Sequence, residues 1–207
     1  MYGRAGRCLL VAAMLASGCS KRSQVAEISV AASGVELHDL SGQLPPGWLA
    51  WRGPQGNGIA ADQELPVTWS ETEHIRWRAD VPGRGHASPV VVGDLVLLAT
   101  ADETKQQQLV VAFDRSHGQE SWRRVVHAGG LPSAREVHSK GTHANGTVAC
   151  DGQRIYVAFF NADHITATAL DLAGQIVWQQ ELGSFDSKFG FAPSPVLYKS
   201  FVIFAVD

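Results

Sequence analysis

Residues 88–99 read SPVVVGDLVLLA, and the fold turns on the fact that this stretch recurs. Residues 147–158 read TVACDGQRIYVA, and residues 194–205 read SPVLYKSFVIFA. Each copy is an apolar strand, a short polar break and a second apolar strand. Gly93-Asp94 and Asp151-Gly152 supply two of the breaks, and both pairs suit a hairpin because Gly and Asp tolerate the positive φ of a tight turn. A second pattern follows the first two copies. It runs Ala112, Asp114, Gly118 and Trp122 in one, and Ala169, Asp171, Gly174 and Trp178 in the other, with one residue fewer between Asp and Gly in the second.

The second pattern predicts a further hairpin. Ala closes a strand, the Asp carboxylate accepts backbone N–H groups in the turn, Gly takes the left-handed position, and Trp sits on the returning strand where it can pack on a neighbouring unit. Each unit is then four short antiparallel strands, with residues 103–108 and 161–164 as the variable loops between its second and third strands. Four-stranded units repeating every ~40–50 residues are the mark of propeller blades. The sequence therefore predicts an all-β chain forming a partial β-propeller of about three blades, the last incomplete. A sandwich does not explain the repeated Trp, and no segment sustains a helical apolar period with caps.

The pattern A-x-D-x-x-x-G-x-x-x-W at residues 112–122 resembles the tryptophan-docking repeat of quinoprotein propellers, which carry pyrroloquinoline quinone (PQQ). Trp48, Trp51-Arg52-Gly53-Pro54, Gly56 and Gly58 add to the likeness. So do Leu65-Pro66 with Trp69, Ile75-Arg76-Trp77, and the run GRGHASP at residues 83–89. Together these are similar to the opening of bacterial PQQ-like β-propeller repeat proteins, often grouped with the propeller lipoprotein of the outer-membrane β-barrel assembly machine. The resemblance covers residues 48–207.

Ahead of the repeats lies a leader. Arg4 and Arg7 precede the apolar run CLLVAAMLA at residues 8–16, then Ser17, Gly18 and Cys19. That order is a secretory signal peptide, expected over residues 1–18, and the apolar run is too short for the ~20 residues that span a bilayer. Leu15 to Cys19 resembles a bacterial lipobox, although Leu15 stands one place further from the cysteine than usual. The resemblance implies lipidation of Cys19, with residues 19–47 as a flexible tether and residues 48–207 as the propeller. The chain stops at Asp207 within an apolar strand expected over residues 201–206. Propellers close with 4–8 blades, so the natural product is expected to continue or the reading frame to be truncated, the alternative being a ring completed by association of two or more chains.

The chemistry-bearing residues are sparse. The net charge of −3 over 207 residues gives no basic footprint for nucleic acid. The cysteines Cys8, Cys19 and Cys150 lack metal-site spacing. The quinoprotein resemblance implies PQQ and a calcium ion in an enzyme, but no adjacent Cys pair is present, and Asp80, Asp102, Asp163 and Asp186 fall in no matching motif. His86, His127, His138 and His143 cluster around a long insertion at residues 129–145, the kind of loop that often carries function. Gly83-Arg84-Gly85 precedes a strand, so it is a tight loop and no phosphate cradle. Ser88 and Ser194 read as strand starts and Cys150 as a small buried residue.

These readings point to a non-catalytic scaffold without a cofactor, binding an envelope protein or small ligand and held at the periplasmic face of a membrane by its lipid. The competing expectations are a fragment of a periplasmic PQQ-dependent dehydrogenase and a carbohydrate or small-ligand binder working through residues 129–145.

Overall fold

The computed structural model describes residues 44–60 and 64–206. Cys19, the signal peptide and most of the expected tether lie outside the described residues. Eleven strands follow in chain order: β1 (Gly47–Trp48), β2 (Val90–Val92), β3 (Leu95–Asp102), β4 (Gln107–Asp114), β5 (Glu120–Ala128), β6 (Ala149–Cys150), β7 (Arg154–Asn161), β8 (His164–Asp171), β9 (Ile176–Ser184), β10 (Val196–Tyr198) and β11 (Phe201–Ile203). No helix occurs among the described residues.

The strands form two full antiparallel blades and the start of a third. Blade 1 is β2-β3-β4-β5, blade 2 is β6-β7-β8-β9, and β10 pairs only with β11. Period-2 alternation gives each blade two apolar faces. Leu97, Ala99, Val110 and Ala112 of blade 1 meet Val148, Cys150, Ile155, Val157 and Leu170 of blade 2 in one buried cluster. The opposite face of blade 2 buries Ala158, Phe160 and Ile165 against Phe191, with Phe185 and Phe204 alongside.

Ala112 pairs with Trp122 across β4 and β5, and Ala169 pairs with Trp178 across β8 and β9, so the two tryptophans occupy the same place in their blades. Trp122 reaches the next blade: its indole Nε1 donates to the carbonyl of Leu172 at 2.9 Å. Its ring lies over Gly174, where a Cβ would come within 2.6 Å of the ring carbon Cε3. Gly174 has φ +78°, so the turn and the contact each exclude a side chain. Asp114 Oδ1 accepts from the N–H groups of Ser116 and His117 at 3.0 and 2.7 Å, and Asp171 Oδ1 accepts from that of Gln175 at 2.7 Å.

Three details depart from the sequence reading. The loops expected at residues 103–108 and 161–164 are shorter, because Gln107 and Gln108 belong to β4, and Asn161 pairs with His164 at the head of the β7–β8 hairpin. Ala112 and Ala169 lie within their strands, which end two residues later at Asp114 and Asp171. The packed chain also begins before residue 48. β1 adds a fifth strand beside β2, with Gly47 opposite Val92. Leu49, 1% exposed, joins the cluster between the blades, and its carbonyl accepts from Cys150 N–H at 2.8 Å.

Replacing Trp122 by Ala is expected to lower stability by about 2–4 kcal/mol, from lost apolar burial and the orphaned Leu172 carbonyl. Gly174→Ala should cost a comparable amount, while Gly93→Ala, whose Cβ meets open space, should cost no more than about 1 kcal/mol for its positive φ. Urea midpoints of the three variants check the ranking.

Candidate functional site

The antiparallel order puts the β3–β4 and β7–β8 turns at one end of the sheets, together with the connectors that lead from blade 1 to blade 2 and from blade 2 to the β10–β11 hairpin. Backbone bonds tie these segments into one loop face. Gly129 N–H donates to Gln106 O at 2.7 Å, Ala162 N–H to Gly130 O at 2.8 Å, and Phe185 N–H to Asp163 O at 2.8 Å. The insertion at residues 129–145 belongs to this face. Pro132, Val137, Thr142 and Asn145 from the insertion line a cleft closed on its other side by Phe159, Phe160 and Phe191.

Beneath the loop face lies a buried polar joint. Gln108 is fully buried, and its Nε2 donates to the carbonyls of His143 at 2.9 Å and Phe160 at 3.0 Å. Asn161 Nδ2 donates to Gln108 Oε1 at 3.2 Å and to Gly129 O at 2.8 Å. One glutamine thus joins blade 1, the connector and blade 2. A polar residue here suggests the loop expected at residues 103–108, yet strand pairing of Gln108 with His127 turns it inward.

Two of the four noted histidines flank this joint. His127 packs edge-on to Phe159 at 6.0 Å. His143 points Nε2 toward Glu103 at 3.6 Å. Nε2 of His127 and Nδ1 of His143 are buried without a hydrogen-bond partner among the described residues. Burial holds both imidazoles below the usual histidine range, with Glu103 partly opposing the shift at His143. His138 is exposed and stacks on the exposed ring of Phe189 at 6.1 Å, linking the two connectors across the face. His86 is exposed, and its backbone N–H donates to the carbonyl of Ala144, the neighbour of His143, at 2.9 Å.

The hairpin starts carry a role that the aligned sequence did not disclose. Ser88 N–H donates to Thr147 Oγ1 at 2.9 Å, and Thr147 N–H donates to Ser194 Oγ at 3.0 Å. The first residue of each of the first two copies thereby binds the hydroxyl of the next. The hydroxyl types of residues 88, 147 and 194 were the visible signal.

The remaining candidates are structural or scattered. Cys150 is fully buried, and burial pushes its thiol up to about 12, which makes it unreactive. Asp102 is held by Lys105 at 2.9 Å, Asp163 sits in the β7–β8 turn at φ +64°, and Asp80 and Asp186 are exposed. Among the described residues, no three of His, Cys, Asp and Glu converge as metal ligands. The first strands of blades 1 and 2 offer Val90–Val92 and Ala149–Cys150 with Leu49 packed beside them.

Two stacked four-stranded blades joined by a docked tryptophan define a β-propeller of the PQQ-like repeat class. The chain belongs to the family described as "Outer membrane protein assembly factor BamB", which matches residues 53–200. Among solved structures, BamB from Moraxella catarrhalis is similar at 18% identity and TM-score 0.48, covering 65% of this chain and 38% of that one. A europium-containing methanol dehydrogenase is similar at 16% identity and TM-score 0.34, covering 53% of this chain and 17% of that one. The chain thus spans well under half the length of either. The comparison with curated proteins returned no match.

Gln108→Leu should destabilise the chain by about 2–4 kcal/mol, since two buried carbonyls lose their donor. Stability should also fall with acid. His127 and His143 have folded pKa values below their unfolded ones, so the unfolded chain binds more protons between the two. Their contribution is complete above the unfolded value near 6.5 and is lost as pH drops toward the folded values. Urea midpoints at pH 7.5, 6.5 and 5.5 check the slope, which His127→Phe should flatten.

Proposed function

We propose that this chain is a non-catalytic, protein-binding scaffold of the cell envelope that serves outer-membrane protein assembly. Membership of a family described by that role supports the reading. The observation that carries it is the loop face, where two connectors meet and Phe189 stands 72% exposed against His138. A large aromatic held open on a loop face, above a rigid two-blade base, suits capture of another polypeptide better than a reaction. On this reading no prosthetic group takes part. The chain is exported, its first 18 residues are removed, and lipid on Cys19 holds the propeller at the periplasmic face of a membrane through residues 19–47.

Affinity capture from envelope extracts tests the binding role. The intact chain should retain a membrane-protein partner that Phe189→Ala combined with His138→Ala loses at least tenfold, with an unchanged urea midpoint. Equal recovery by both forms refutes the assignment of the loop face. Cys19→Ser should move the protein from the membrane fraction to the soluble periplasmic fraction, read by fractionation.

A further inference from the structure

The chain has three asparagines, and two of them, Asn57 and Asn145, precede a glycine. That pairing is chemically labile. With no side chain on the following residue, its backbone nitrogen has a clear approach to the asparagine Cγ and can displace the amide. The reaction needs an amide free to rotate and a nitrogen free to attack, and the fold grants these to one site only.

Asn145 is locked. Its Oδ1 accepts from Thr142 N–H at 2.9 Å and from Thr142 Oγ1 at 2.7 Å. Its Nδ2 donates to the carbonyls of Thr142 at 2.8 Å and Phe191 at 3.3 Å. Gly146 is buried, with Pro193 O 2.7 Å from where its Cβ would stand. Turning the Asn145 amide toward Gly146 breaks these bonds in a half-buried place, where water replaces them poorly. Asn161, the third asparagine, is held by Gln108 Oε1 and Gly129 O and is followed by Ala162.

Asn57 and Gly58 are exposed. The Nδ2 of Asn57 donates to the exposed Gln55 side chain at 3.1 Å, and its Oδ1 accepts from Ile59 N–H at 2.9 Å. Gly58 N–H donates to Arg52 O at 2.8 Å. That bond ends on a residue at φ +67°, a left-handed conformation that costs a non-glycine residue free energy. Both of its ends are exposed, so it opens in local fluctuations. Space beside Gly58 is also open. The one heavy atom that a Cβ there would meet is Arg52 Nε at 3.8 Å. The guanidinium therefore lies next to the reacting pair, where it favours a carboxylate over a neutral amide.

We propose that Asn57 is a site of spontaneous deamidation in the folded protein, and that the fold protects Asn145 from the same reaction. Gly58 N loses its proton to solvent hydroxide and attacks Cγ of Asn57. The N–Cγ bond forms, the Cγ–Nδ2 bond breaks, and Nδ2 leaves as ammonia after taking a proton from water. Water then opens the resulting succinimide at either carbonyl, giving aspartate or isoaspartate. The net change is amide plus water to acid plus ammonia, with no oxidation or reduction. One negative charge is added to a chain of net charge −3. The isoaspartyl product also lengthens the loop that Gly58 closes on Arg52.

Incubating the purified full chain at pH 7.4 and pH 9, followed by peptide mapping with mass spectrometry, tests this. In the folded chain Asn57 should convert about tenfold faster than Asn145 or more, because protection follows local opening. Its rate should rise with pH, since the attacking nitrogen must lose a proton. In urea above the unfolding midpoint, Asn145 should convert within about threefold of Asn57, because both are then Asn-Gly pairs in an open chain. Gly58→Ala should slow Asn57 about tenfold or more in buffer and in urea alike, by crowding the attacking nitrogen. Equal rates at the two sites in the folded chain, a ratio unchanged by urea, or an Asn57 rate indifferent to Gly58→Ala would each overturn the proposal. None of these readouts depends on whether the loop face binds an envelope protein.

Discussion

The contact between Trp122 and Gly174 sets the spacing of everything else. A sheet with two apolar faces is stable only when both are covered, and stacking blades covers them at the cost of holding each at a fixed distance from the next. The indole provides that distance at the outer rim. It needs a neighbour without a Cβ to lie against and a carbonyl for its N–H, and the turn after Asp171 supplies both at once. The same turn needs a left-handed residue for its own geometry. One glycine thereby satisfies a local backbone demand and a long-range packing demand, so hairpin formation and blade stacking favour the same structure.

Inside that rim the joint between blades is partly polar. An apolar interface alone permits sliding by a strand residue, because Val, Ala and Leu substitute for one another in contact. Gln108 does not permit it. Its amide meets two carbonyls from two different segments, and a shift of one residue leaves all of them unpaired in a dry setting. The neutral histidines beside it belong to the same dry region, which is why burial alone depresses both.

The sequence disclosed the hairpins and the Asp–Gly–Trp turns because they rest on short-range chemistry: positive φ at Gly118 and Gly174, carboxylate acceptance at Asp114 and Asp171, and alternation in the strands between. It misplaced residues 107–108 and the two ends of 161–164, where Gln and Asn look like loop residues, while Ala162 and Asp163 do form the turn. Only the partner carbonyls, contributed from more than thirty positions away, turn them inward. The short β1 strand was hidden for the same reason, as two residues have no period and their pairing partner lies past residue 90. Of the loop face, the length of residues 129–145 was legible, but the stacking of His138 on Phe189 joins two connectors that no local pattern relates.

The two blades are fastened at three radii. Near the inner edge, Leu49 and Thr147 bridge them; midway stands Gln108; at the periphery sits Trp122. A plate held at one radius pivots, and one held at two still twists about the line joining them. With Gln108 at the loop end of the blades and Trp122 at the opposite end, on the β8–β9 turn, the three fixings do not lie in one line, and together they set the wedge angle between the blades. Any ring assembled from such sectors inherits its curvature from these few bonds, and the loops at its mouth take their spacing from the same fixings.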